Sequence, residues 1–163
     1  MHTSLASTHA RSRSLLSWRD AELEQLFATL DAGASPAGTL RGRLFALTGT
    51  NWLPRTFNSL LFRLLALPIN PWRGKHFDGA QGSNRWLALS GPSFGHYDCS
   101  IKTRDGQTLH WLDYSAARNP AWLRGVRGEA RQLQDGLWLC RMRWQSDAGL
   151  KTLLWFTLEE QPA

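Results

Sequence analysis

The chain is predicted to be mainly β, an antiparallel barrel or sandwich of about eight short strands, with one helix ahead of the first strand and a second inserted after it. Three observations predict this. Beyond Trp72 the sequence runs in short alternating segments separated by turn residues. Asp105-Gly106 and Asp135-Gly136 each sit between two such segments, the strongest short-range signal for a tight hairpin. Ahead of Trp72 the apolar period twice becomes three to four residues, which marks helices. With 163 residues, 42% of them hydrophobic, the chain can bury one core without disulfides or metal. No linker, repeat or low-complexity stretch divides it.

Residues 1–17 carry Arg11 and Arg13, several Ser and Thr, and no acid, so they are expected to form a flexible polar tail on a single domain spanning 18–163. An organelle transit peptide shares that composition. A secretory signal would need an apolar run, and only Leu15 and Leu16 stand together. From Trp18 to Leu30 the apolar residues Leu23, Leu26, Phe27 and Leu30 share one helical face; Ser17 or Asp20 can cap it, and Gly33 and Pro36 close it. Such a stripe must cover something, either a sheet face or one end of a barrel.

The first strand is predicted at 38–47, with Leu40, Gly42, Leu44 and Ala46 on one face and Arg41, Arg43, Phe45 and Leu47 on the other. Between 52 and 67, Leu53, Phe57, Leu60, Leu61, Leu64 and Leu65 recur at helical spacing until Pro68 and Pro71. Further strands are expected at 72–77, 85–89, 95–102, 108–114, 123–133, 137–144 and 150–158. The run Gly79-Ala80-Gln81-Gly82-Ser83-Asn84 reads as a turn; no helix start follows it, as a phosphate loop would require.

Charge and composition narrow the function classes. The net charge of +6 comes from 19 basic residues, 16 of them Arg, which suits an anionic partner. The cations are scattered in runs no longer than two, and no recognition helix or RNA-binding aromatic motif accompanies them, so nucleic acid is disfavoured. No uncharged apolar run reaches the roughly 18 residues that span a bilayer. Arg55 and Arg63 beside the Leu stripe of 53–67 are too few to favour docking on a membrane surface over core packing. Cys99 and Cys140, 41 residues apart, form no CxxC pair and demand no oxidising compartment, so a cytoplasmic protein is expected. Nucleophile-elbow, P-loop, dinucleotide, HExxH and EF-hand motifs are absent, and neither a cofactor nor a metal is expected.

The interior is legible in one place. Trp138, Cys140, Met142 and Trp144 alternate on an apolar face that should point inward, where they line a hollow or simply fill it. Gly38-Thr39-Leu40-Arg41-Gly42, followed by a Leu-rich helix and then Trp72-Arg73-Gly74-Lys75-His76-Phe77, resembles a small bacterial and fungal family named for a G-x-W-x-G signature and joined to a domain of unknown function. Leu40 occupies the place of the motif Trp. Leu112-Asp113-Tyr114 and Leu154-Trp155-Phe156-Thr157-Leu158-Glu159 are similar to that family's closing strands. The resemblance implies an up-and-down, lipocalin-like (calycin-type) β-barrel with an apolar interior, and no activity.

These readings converge on a non-enzymatic binding or carrier protein for an apolar or amphipathic, anionic small molecule such as a fatty acid, lipid or flat cofactor. The candidate ligand-binding residues are Leu40, Trp72, Lys75, Phe77, Arg85, Trp111, Trp138, Arg141 and Met142: aromatic and aliphatic side chains for the walls, cations for a head group. The alternative is a small enzyme in which His110, Asp113 and Tyr114 perform acid-base chemistry, which requires at least two of them to converge on one pocket. A third reading, an interaction module, would show a large exposed Trp and Leu patch instead. Ligand identity, oligomeric state and pathway lie beyond the sequence.

Overall fold

The alternation beyond residue 72 becomes, in the computed structural model, an unbroken series of antiparallel hairpins. The structure describes residues 11, 14–47 and 71–161. Its strands are β1 (Gly38–Leu47), β2 (Trp72–Asp78), β3 (Gln81–Trp86), β4 (Ser93–Arg104), β5 (Gln107–Asp113), β6 (Val126–Gln134), β7 (Leu137–Ser146) and β8 (Gly149–Glu159). Each pairs with its sequence neighbour, and β8 returns to β1 in a closed eight-stranded barrel. β1 achieves the closure by division: residues 38–41 pair with β2, while Gly42 and Leu44 face Leu158 and Phe156 of β8. Each of these strands has a hydrogen-bonded neighbour on both sides, which removes the sandwich alternative. The helix expected at 52–67 lies outside the described residues. Among the described residues no helix is long and apolar enough to cross a membrane.

β3 departs from expectation. It occupies Gln81–Trp86, most of which reads as a turn in the sequence, and the expected strand at 85–89 overlaps it by only two residues. The turn itself is confined to Gly79 and Ala80. Gly, Ser and Asn have poor strand propensity, but pairing with β2 on one side and β4 on the other supplies the backbone partners that propensity does not predict.

One core lies inside the barrel. Leu40, Phe77, Tyr97, Leu112, Ala130, Trp138, Cys140, Phe156 and Leu158 form a contiguous buried cluster, as the inward phase of β1 and β7 requires. Gly42 is part of the same design. A Cβ there would fall 2.1 Å from Trp72 Cη2, so the absence of a side chain on β1 is what admits the indole from β2. Gly42→Ala is expected to displace Trp72 and lower stability by roughly 1–3 kcal/mol in denaturant titrations; an unchanged midpoint would show that the indole moves aside freely.

A second core lies outside the barrel. Helix α1 (Asp20–Thr29) lays Leu23 and Phe27 on Phe45, Leu139 and Trp155, from β1, β7 and β8. Phe27 meets Trp155 edge to face at 5.6 Å, and the Trp155 indole donates to Asp20 Oδ1 at 2.7 Å. Asp20 therefore anchors the helix to β8 rather than capping it. The N-cap is Arg19, whose backbone N–H donates to the Glu22 carboxylate. Leu15, wholly buried in this cluster, shows that docked chain begins within the stretch expected to be a flexible tail. A helix cover also explains why both faces of β7 are buried, with Leu139 as inaccessible as Trp138 and Cys140.

Candidate functional site

The two ends of the barrel are unlike. One is stoppered by the chain that follows α1: the Trp138 indole donates to the Ala34 carbonyl at 2.9 Å, and His110 Nε2 lies 3.0 Å and 3.2 Å from the carbonyls of Ala32 and Ala34. Burial holds the His110 imidazole below its usual range, although those carbonyls pull the other way. Leu40, Phe77 and Trp138 belong to the filled core of this half.

The other half holds a cavity of about 660 Å³. Its walls include Leu44, Trp72, Trp86, Phe94, Leu123, Val126, Met142, Leu154 and Phe156, and it reaches the surface beside Trp122, which is 64% exposed. Among the described residues, the nitrogen- and oxygen-bearing side chains of the wall are the Trp72, Trp86 and Trp122 indoles and the cluster of Lys75, Asn84 and Tyr114. This volume is within the roughly 300–1,000 Å³ of small-molecule sites, and an apolar wall with a few convergent polar groups is their usual composition.

Lys75 is only 1% exposed. Its Nζ donates to Asn84 Oδ1 at 2.6 Å and to the Tyr114 hydroxyl oxygen. Asn84 Oδ1 also accepts from the Trp72 indole at 3.3 Å and from the Tyr114 hydroxyl at 3.4 Å, and Asn84 Nδ2 donates to the Gly95 carbonyl. Aromatic rings surround the amine, with Tyr97, Tyr114, Phe156 and Trp72 centred 4.7, 5.2, 5.5 and 6.0 Å from Nζ. Among the described residues no carboxylate pairs with it. Burial pushes the Lys75 ammonium down to about 7, with Cys140 and Cys99 pulling weakly back. The Tyr114 hydroxyl is raised by the same burial and stays protonated.

A break in alternation assembles the cluster. On a regular strand Trp72 and Lys75 would face opposite sides, but the β2–β3 register shifts between Trp72 and Gly74, so both side chains enter the cavity. Gly74 makes the shift possible, with φ of +152° and its Cα pressed so close to β1 that a Cβ would fall 2.0 Å from the Leu40 carbonyl.

Of the residues picked from sequence, Trp72, Lys75, Met142 and Tyr114 line this cavity. The other cations and Trp111 do not. Arg141 projects from the outer face, bonded to Glu129 at 2.6 Å and to Glu24 of α1, with its guanidinium 4.4 Å from the Phe27 ring centre. Arg85 follows Asn84 on β3 and donates instead to the Gly91 carbonyl. Trp111 lies under Lys102, whose Nζ is 4.0 Å from the indole centre, on the face opposite Leu112.

The acid-base trio is separated. His110 is bound to the stopper; Tyr114, four residues on, stands about 13 Å further along the barrel wall. Asp113 turns outward to Arg127 at 3.4 Å. Burial raises its carboxyl, but hydrogen bonds from Ser115 and the Arg127 charge outweigh this and hold it below the usual range. Asn84 and Phe94 are site residues that sequence reasoning passes over. The signal was the two-residue phase of Gly82, Asn84 and Trp86 after the Gly79-Ala80 turn, hidden by the small polar residues around it.

No protein-family model and no curated protein matches this chain. A solved structure, the crystal structure of a protein from Thermomonospora curvata, superposes on it with a TM-score of 0.59, covering 96% of this chain and 99% of that one at 17% identity. The likeness is one of fold: the chain shares the architecture of that protein along nearly its whole length.

Proposed function

We propose that this is a binding protein for an apolar or amphipathic small molecule held in the open half of the barrel, with its one polar head at Lys75, Asn84 and Tyr114. The observation that carries the reading is the 660 Å³ cavity, greasy throughout except for that cluster. Its shape and composition suit a fatty acid, another single-chain lipid or a flat ring system. We also read the barrel as lipocalin-like and related to the G-x-W-x-G family. Support comes from its sequential eight-strand closure and from β1, where Leu40 plugs the core and Gly42 seats an indole supplied by β2. The free thiols Cys99 and Cys140 fit a cytoplasmic setting.

Titration with cis-parinaric acid tests the proposal. Saturable energy transfer from tryptophan is expected, since Trp72 and Trp86 stand in the cavity wall. Met142→Trp and Leu154→Trp fill the same space from β7 and β8 and are expected to weaken binding at least about tenfold, with thermal stability held or raised. Undiminished binding in both variants would place the probe elsewhere and remove the proposal.

A further inference from the structure

Resting on the ligand-binding reading above, we propose that Lys75 is a covalent attachment point: its amine forms an imine with the carbonyl carbon of an apolar aldehyde or ketone occupying the cavity. The placement argues for a carbonyl over a carboxylate. A carboxylate can rest against this amine as a noncovalent ligand, but it draws on that one cation alone, whose neighbours, Asn84 Oδ1 and the Tyr114 hydroxyl, are already hydrogen-bonded to each other. A carbonyl needs a neutral amine and a nearby proton donor. Burial without a carboxylate partner yields the first, as it does for imine-forming lysines in apolar pockets. Tyr114, hydrogen-bonded to the same nitrogen, is the second.

The chemistry balances within the site. The nitrogen lone pair adds to the carbonyl carbon while the C=O π pair moves to oxygen. Tyr114 gives its phenolic proton to that oxygen and takes one from nitrogen, leaving a neutral carbinolamine. The second N–H proton, relayed the same way, leaves with the hydroxyl as one water, and the C=N bond forms. No oxidant or reductant takes part. Among the described residues, the titratable groups that face the amine are Tyr97 and Cys99 of β4, Tyr114 beyond β5 and Cys140 of β7. Burial raises each of the four, so none carries charge at neutral pH. The amine is therefore the group whose charge changes near neutrality in this part of the barrel.

The test treats the full-length protein with decanal near pH 7, reduces with cyanoborohydride, and maps the decyl adduct by peptide mass spectrometry. Lys102 and Lys151 are exposed and serve as internal controls. Lys75 is expected to be labelled at least about tenfold more than either, because the cavity holds the aldehyde against its amine with the Tyr114 hydroxyl alongside. Lys75→Met and Lys75→Arg, each checked for a native near-ultraviolet circular dichroism spectrum, should lose that adduct, and Tyr114→Phe should form it at least about tenfold more slowly. In parallel, decanol, which has no carbonyl, competes with cis-parinaric acid on the unmodified protein. If decanol competes but decanal labels Lys75 no more than Lys102 or Lys151, the covalent proposal is overturned and the binding reading stands. If neither decanol nor decanal displaces the probe and no Lys75 adduct forms, both fall.

Discussion

Lys75→Met is expected to stabilise the protein below pH 7, by roughly 1–3 kcal/mol, and to abolish a pH dependence that the parent shows. Lys75 is 1% exposed and Met matches its unbranched shape, so the exchange opens no large void. The amine titrates at about 7 in the folded protein against 10.5 ordinarily. Below pH 7 both states hold the proton and the folded one bears a buried charge. Between 7 and 10.5 the unfolded chain binds more protons, so this amine makes the parent more stable as pH rises, by up to roughly 5 kcal/mol across the window. Cys99, Cys140, Tyr97 and Tyr114 act in the opposite direction in alkali, since burial raises each of them. They are common to both proteins, so the difference between parent and variant isolates the amine. Urea midpoints at several pH values would measure it, and a constant difference from acid to alkali would show that the folded protein keeps the charge. A group that costs stability at the inner end of a cavity is what a functional lysine looks like energetically.

The second large effect lies on the opposite face of the barrel wall. Glu129 is 0% exposed and meets Arg104 at 3.0 Å, Arg141 at 2.6 Å and Arg143 at 3.2 Å, while Arg141 also reaches Glu24 of α1. Removing one member of a buried ionic group leaves the others charged and unpaired. Glu129→Ala is therefore expected to cost about 3–5 kcal/mol, a fall in Tm of about 10 °C for a chain of this size. The loss should be largest where α1 docks, visible as faster amide exchange in residues 20–29 than in β4 and β5. A fall under about 1 kcal/mol would mean that solvent already screens the cluster and that the apolar contacts of Phe27 and Trp155 alone hold the helix.

These two buried charges differ in how they could be read from the chain. Glu129 and Arg141 stand in strands whose alternation is plain, yet nothing local says that the outer face of β6 and β7 is covered, so Arg141 reads as a cation at an opening. Lys75 sits in a segment whose alternation sets it apart from Trp72, and only the register shift at Gly74 brings the two together. Asn84 was obscured for a third reason: its strand is built from residues of poor β-propensity and persists through the two neighbours it pairs with.

Pattern alone was enough for the eight-stranded count, for seven of the strand positions, for α1 and for the inward face of Trp138, Cys140 and Met142, because alternation and turn chemistry are local and repeat along the chain; Trp144, expected on the same face, is exposed beyond the register shift that follows Met142. It was also enough to nominate Trp72, Lys75, Met142 and Tyr114. Closure of β8 on β1, the docking of α1 outside the wall, the stopper at one end and the hollow at the other arise from contacts between residues as many as 135 positions apart. Such contacts leave no periodic trace. They decided that His110 holds a plug, that Asp113 and Arg141 face outward, and that one lysine is sealed among aromatic rings with a tyrosine hydroxyl at hand.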